Sequence, residues 1–120
     1  MRRTLLLAAL LTAAPLIAAA PANPLEGRWQ VDLSTDPAKP YVKTMELHLA
    51  VDGSVTGSFY DSSIEGGQWK TDRGRTCVSF RTRDGVGPYH SSACLRGKVV
   101  EGQTWAEHRR FLFNWNATRG

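Results

Sequence analysis

Helical periodicity is what this sequence lacks most. Outside residues 1–22 no stretch repeats its apolar residues at the 3.6-residue period, which removes helical bundles and α/β folds. Cysteine is scarce: Cys77 and Cys94 are the 2 in the chain, and they form no C-x-x-C, so a redox pair is not signalled. The 3 histidines, His48, His90 and His108, give neither H-x-H nor H-E-x-x-H, which leaves a zinc site without local support. No nucleophile elbow frames a serine, so no acyl-transfer triad is indicated. There is no Lys/Arg-rich run, and nucleic acid is not an expected partner. Internal repeats and low-complexity segments are missing too. These absences lean away from an enzyme, and no metal and no cofactor are expected.

The one long apolar run stands at the start. Arg2-Arg3 precede a stretch, 5–20, made almost wholly of Leu, Ala and Ile. It falls short of the roughly 20 residues that a spanning helix needs. With basic residues before it and small ones after it, it reads as a secretory signal. The A-x-A pattern Ala20-Pro21-Ala22 puts the cut after Ala22. An uncleaved N-terminal anchor is the alternative. Residues 23–120 are then a single domain with a modest core, and no other segment reads as a stable membrane span. Without Arg2 and Arg3 the 15 basic residues become 13, against 11 acidic. The expected location is the periplasm or the outside of the cell, where two cysteines default to a disulfide. Closure entropy for a loop of the Cys77–Cys94 size is worth about 3 kcal/mol.

What is present is alternation. Eight segments read as strands: 27–33, 43–51, 54–61, 68–70, 75–83, 89–96, 99–106 and 111–118. Trp29, Val31 and Leu33 share one face of the first; Met45, Leu47, Leu49 and Val51 share one face of the second. Val78, Phe80 and Thr82 do so later, as do Phe111, Phe113, Trp115 and Ala117 at the end. Turn signals fall at about 8–12-residue intervals, the pattern of a small antiparallel barrel or a sandwich. Successive hairpins favour up-and-down order, and closure of a barrel removes exposed edges.

Two hairpin registers can be argued. A three-residue turn Asp52-Gly53-Ser54 sets Val51, Leu49 and Leu47 against Val55, Gly57 and Phe59, apolar against apolar, whereas a two-residue turn sets them against Ser54, Thr56 and Ser58. A tight turn centred on Gly85-Val86 sets Cys77 directly opposite Cys94. Asn116-Ala117-Thr118 fits a glycosylation acceptor, and on a regular terminal strand it is read as coincidence.

Gly27-x-Trp29 on the first strand, Asp52-Gly53 with Gly57 and Tyr60 in the next hairpin, and Arg119 on the last strand together resemble the calycin group. That group includes lipocalins, fatty-acid-binding proteins, avidins and small bacterial metalloprotease inhibitors. The resemblance implies a closed barrel in which Trp29 packs under Arg119 and seals one end. An Arg over an indole face gains roughly 0.5–2 kcal/mol.

The pocket candidates are Tyr60, Trp69, Phe80, Tyr89, Trp105 and Phe113. An eight-stranded barrel is either filled by its side chains or hollow; if hollow, aromatic walls with a few polar groups suit a small hydrophobic or amphipathic ligand. The expected function is ligand binding by an exported small barrel. The alternative is a protein-binding barrel, such as an inhibitor of an exported protease, with Asn23 to Glu26 as a free leader able to enter a cleft.

Overall fold

The computed structural model describes residues 8–9 and 23–120. The expected signal segment and its cut after Ala22 otherwise lie outside the described residues. The strands are β1 (Gly27–Asp32), β2 (Val42–Leu49), β3 (Ser54–Phe59), β4 (Ser62–Ser63), β5 (Glu65–Asp72), β6 (Arg75–Arg83), β7 (Pro88–Arg96), β8 (Val99–Ala106) and β9 (Phe111–Arg119). A single 3-10 turn, Glu107–Arg109, links the last two. Apart from the two-residue β4, a hook on β3, each strand pairs antiparallel with its successor. β9 then pairs with β1, Val31 opposite Ala117 and Trp29 opposite Arg119. The result is a closed, up-and-down barrel of eight strands. Closure leaves no open sheet margin, which excludes the sandwich.

The period-2 alternation decides what points inward. Val31, Met45, Leu47, Val55, Phe59, Val78, Phe80, Ala93, Val100, Trp115 and Ala117 are all buried in one core. Thr82, Ser91 and Thr104 are buried on the same inner faces. The β6–β7 hairpin has the expected register, Cys77 opposite Cys94 and Phe80 opposite Ser91. The two cysteines are bonded as a disulfide, on the outer side of the sheet beside inward Val78 and Ala93.

The β2–β3 hairpin differs from its expected register by two residues. Leu49 faces Val55, Leu47 faces Gly57 and Met45 faces Phe59. The amide of Ala50 donates to the Ser54 carbonyl and the Gly53 amide donates to the Ala50 carbonyl, so the three turn residues are Val51-Asp52-Gly53. Gly53 takes φ +93°, the left-handed position that closes such a turn. The Asp52 carboxylate accepts from the Ser54 amide and hydroxyl, which favours this turn over the expected one. A shift of two keeps every side chain on its face. Val51 is the one residue displaced from the expected inner row, to the fully exposed tip.

Two strand boundaries also differ. β3 stops at Phe59, because Tyr60 and Asp61 both take positive φ and form a two-residue turn back to Ser62, which faces Phe59. β5 begins at Glu65, earlier than expected, because the Gly66-Gly67 bend is a bulge within the strand.

One end of the tube is plugged. Leu25 is fully buried, and the Trp29 indole Nε1 donates to its carbonyl at 2.9 Å. The Arg119 guanidinium lies 4.0 Å from the Trp29 ring centroid and donates to the carbonyls of Glu26 and Pro24. Gly27 makes room for it: a Cβ there would stand 2.9 Å from Nη1 of Arg119. The Glu26 carboxylate accepts from the Leu49 amide at 2.6 Å and meets His48 Nδ1 at 3.2 Å. The segment expected to be a free leader is therefore a strap across the floor.

Two outcomes follow from these anchors. Arg119→Ala removes the ring contact and both carbonyl bonds, and urea unfolding should show a loss of about 2 kcal/mol. Arg119→Lys should recover less than half of that, since an ammonium cannot cover the ring and fork to both carbonyls. Replacing both Cys77 and Cys94 by serine should cost about 3 kcal/mol; an unchanged urea midpoint would contradict the bridge's role.

Candidate functional site

The strand directions sort the loops. The floor end carries the strap and the 50–53, 73–74 and 97–98 turns. The opposite end carries the 33–41 loop, the Tyr60-Asp61 turn, the 84–87 turn and the 3-10 turn. There the barrel opens into a cavity of about 390 Å³, within the range of about 300–1,000 Å³ that small-molecule sites occupy. The interior is thus packed toward the floor and hollow at the mouth.

Below the cavity sits an aromatic layer. The Phe59 ring meets Phe80 edge-on at 5.5 Å and Trp115 at 5.4 Å. The Trp115 indole donates to Thr104 Oγ1 at 2.9 Å, and Thr104 also bonds Ser91 Oγ at 2.8 Å, so the buried polar atoms are paired. Leu33, Phe59 and Phe113 form apolar wall, and Thr82, Thr104 and Ser62 add hydroxyls.

Three tyrosines ring the opening: Tyr41, Tyr60 and Tyr89. Tyr60 stands at φ +52°, a conformation that costs a side chain of this size of order 1 kcal/mol. It is held there from outside. Its hydroxyl bonds that of Tyr41, and the Lys43 ammonium lies 5.1 Å from its ring centroid while pairing with Asp61 at 3.5 Å. The bond to Tyr41, more than burial, raises the Tyr60 pKa above the usual phenol value.

Tyr89 is held differently. Its hydroxyl donates to the Asp84 carboxylate at 2.7 Å. Asp84 also accepts from the amides of Val86 at 2.8 Å and Gly87 at 3.1 Å, so one side chain caps the turn and fixes the ring. The Tyr89 hydroxyl first and these amides next hold Asp84 below the ordinary carboxylate range. Burial, then the bond to Asp84, raises Tyr89. The His108 ring packs edge-on against Tyr89 at 5.0 Å. Both its nitrogens are buried without a hydrogen-bond partner among the described residues.

The six sequence candidates therefore separate. Tyr60, Tyr89 and Phe113 line the mouth. Phe80 lies in the layer beneath. Trp69 stands at the floor end, its indole donating to the Ala50 carbonyl at 2.7 Å. Trp105 is on the outer surface, opposite His90 and Leu112, because β8 turns Thr104 and Ala106 inward. The residues that sequence reasoning passed over are Leu33, Tyr41, Phe59, Ser62, Thr82, Asp84, Thr104 and Arg109. Phe59, Thr82 and Thr104 carried a signal in the strand alternation; Tyr41 and Arg109 are placed by loops and carried none. Trp115, under the cavity, lay on the correctly read inner row of β9. Among the described residues no group of three or more His, Cys, Asp or Glu side chains is placed to hold a metal ion. No protein-family model, curated protein or solved structure matches this chain significantly.

The Asp84 geometry sets an acid response. A carboxyl whose folded pKa is depressed contributes stability above its unfolded value, near 4, and loses it as pH falls through the folded value. The Tyr89 ring should therefore loosen as the pH falls below about 4. Its NMR signals should report this, and Asp84→Asn should show the loosened signals already at neutral pH. Tyr89 signals that stay constant between neutral and strongly acid solution would contradict the linkage.

Proposed function

We propose that this chain is an exported small barrel that binds a small hydrophobic or amphipathic ligand in its mouth. The observation that carries the reading is the cavity of about 390 Å³, walled by aromatic rings and set above a sealed floor. A tube closed at one end admits a ligand only from the other. Apolar wall from Leu33, Phe59 and Phe113 is combined with tyrosine, serine and threonine hydroxyls, as in sites where apolar surface supplies affinity and hydroxyls supply orientation. The disulfide agrees with a periplasmic or secreted location, and a signal ending at Ala22 leaves the strap from Asn23 onward intact. The calycin-like pattern of Gly27, Trp29 and Arg119 points the same way.

The protease-inhibitor alternative rested on size, a single bridge and a free leader. Asn23 to Glu26 are engaged in the floor, so it loses the leader, the feature that would have entered a cleft.

Trp115 provides the test. It touches Phe59 and bonds Thr104, both of which line the cavity. Titration with a panel of fatty acids and small aromatic metabolites should give a saturable change in tryptophan emission. Trp115→Phe should remove most of that change while calorimetry still detects binding. Thr82→Phe, which fills the cavity, should weaken binding about tenfold or more, because the pocket volume is lost. No saturable binding across the panel would refute the reading.

A further inference from the structure

The two charged side chains that line the mouth are in opposite situations. The Asp84 carboxylate is already committed to three donors, the Tyr89 hydroxyl and two backbone amides. Arg109 makes no ion pair among the described residues, although it lines the same cavity. Lys43, the other cation near the tyrosines, is paired with Asp61. Among the described residues, the charged side chain that lines the cavity without an ion pair is therefore the Arg109 guanidinium.

The backbone that carries Arg109 is also held in place. It ends the 3-10 turn, and Arg110 follows at φ +50° with its amide donating to the Glu107 carbonyl. On the other side His108 is wedged against Tyr89 and Gly87, where a Cβ would stand 2.7 Å from its ring. The Arg109 charge reaches the phenols of Tyr60 and Tyr89, where it opposes their upward pKa shifts. A planar, five-donor cation with no ion pair of its own is suited to a two-oxygen anion.

We infer that the mouth selects an organic monoanion, its aromatic or aliphatic body on Phe59 and Phe113 and its carboxylate or sulfonate on Arg109. The inference rests on the ligand-binding reading above and adds the head group. Tyr60 supplies a neutral phenol beside it, whereas the Tyr89 hydroxyl proton stays committed to Asp84, whose three donors leave it bonded away from Arg109.

Two dyes of one body test the head group alone: anilinonaphthalene sulfonate and the neutral phenylnaphthylamine. The intact protein should bind the sulfonate about tenfold or more tightly than the neutral dye, as a charge-assisted contact warrants. Arg109→Gln should abolish that preference, read as the ratio of the two dyes' affinities in the same variant. Arg109→Lys should restore part of it. Arg110→Gln, which removes a neighbouring charge that does not line the cavity, should keep it. Equal affinity for the two dyes in the intact protein, or a preference that survives Arg109→Gln, overturns the anion assignment while ligand binding stands. Loss of the preference in Arg110→Gln overturns it as well, by making the effect one of general charge. Binding of neither dye removes the ligand-binding reading, and the head group with it.

Discussion

Closing a sheet into a tube asks its first and last strands to find each other at the greatest sequence separation the domain offers. Arg119 is the side chain on which that meeting depends. It stands at the end of β9, covers Trp29 of β1, and donates to the carbonyls of Pro24 and Glu26. The carbonyl bonds matter as much as the ring contact. A strap of backbone laid over the end of a barrel carries acceptors that water would otherwise have to satisfy. The guanidinium answers two of them and the Trp29 indole a third. Gly27 belongs to the same device, since it takes φ +112° and a Cβ there would stand 2.9 Å from Nη1 of Arg119 and push the guanidinium aside.

Sealing one end decides where openness is allowed. The core residues crowd toward the floor, and the layer of Phe59, Phe80 and Trp115 separates that packed half from the hollow one. Above it the structure relies on turns rather than strands, and the turns are strained. Of the four non-glycine residues at positive φ among those described, Tyr60, Asp61 and Arg110 stand at the mouth and Arg73 at the floor end. Such conformations persist only where surrounding contacts over-determine them. Lys43 does this for Tyr60 and Asp61, through a ring contact and an ion pair. The wedged His108 and the Glu107 carbonyl do it for Arg110. The loops that form the opening are thus braced, and Tyr60 and Tyr89 keep their directions.

The strand order was legible because the strands obey one rule along their whole length. Alternation in 75–83 and 111–118 put Phe80, Thr82, Trp115 and Ala117 on the inner face, and a tight turn at Gly85-Val86 paired Cys77 with Cys94. The other hairpin shows the limit of that rule. Pairing Val51 with Val55 maximised apolar contact, whereas the turn formed one residue earlier, where Asp52 caps Ser54 and Gly53 falls at the left-handed position. Hydrogen bonds of a few turn residues outweighed one valine. The mouth was harder to read for the same reason. Tyr41 and Arg109 reach the cavity through loop geometry, which leaves no period in the sequence. Trp105 and Trp69 looked like pocket material because aromatic residues usually pack; one is turned outward by the parity of β8 and the other is spent at the floor.

This division between floor and mouth bears on selectivity. The interior layer is apolar and offers its surface to any body that fits, so the aromatic walls discriminate weakly between ligands of similar shape. Discrimination has to come from polar groups whose bonding is incomplete, because a ligand that fails to match them leaves them unpaired in a partly dry site. The Tyr41–Tyr60 pair spends one of its two hydroxyl protons on the bond between them, and Asp84 is engaged three times over. Among the described residues, the charged group lining the cavity with unmet bonding capacity is the guanidinium of Arg109. Under the proposed ligand-binding reading, a mouth whose cavity-lining guanidinium has no ion pair discriminates by the head group of its ligand, and the packed half below it holds that mouth in shape.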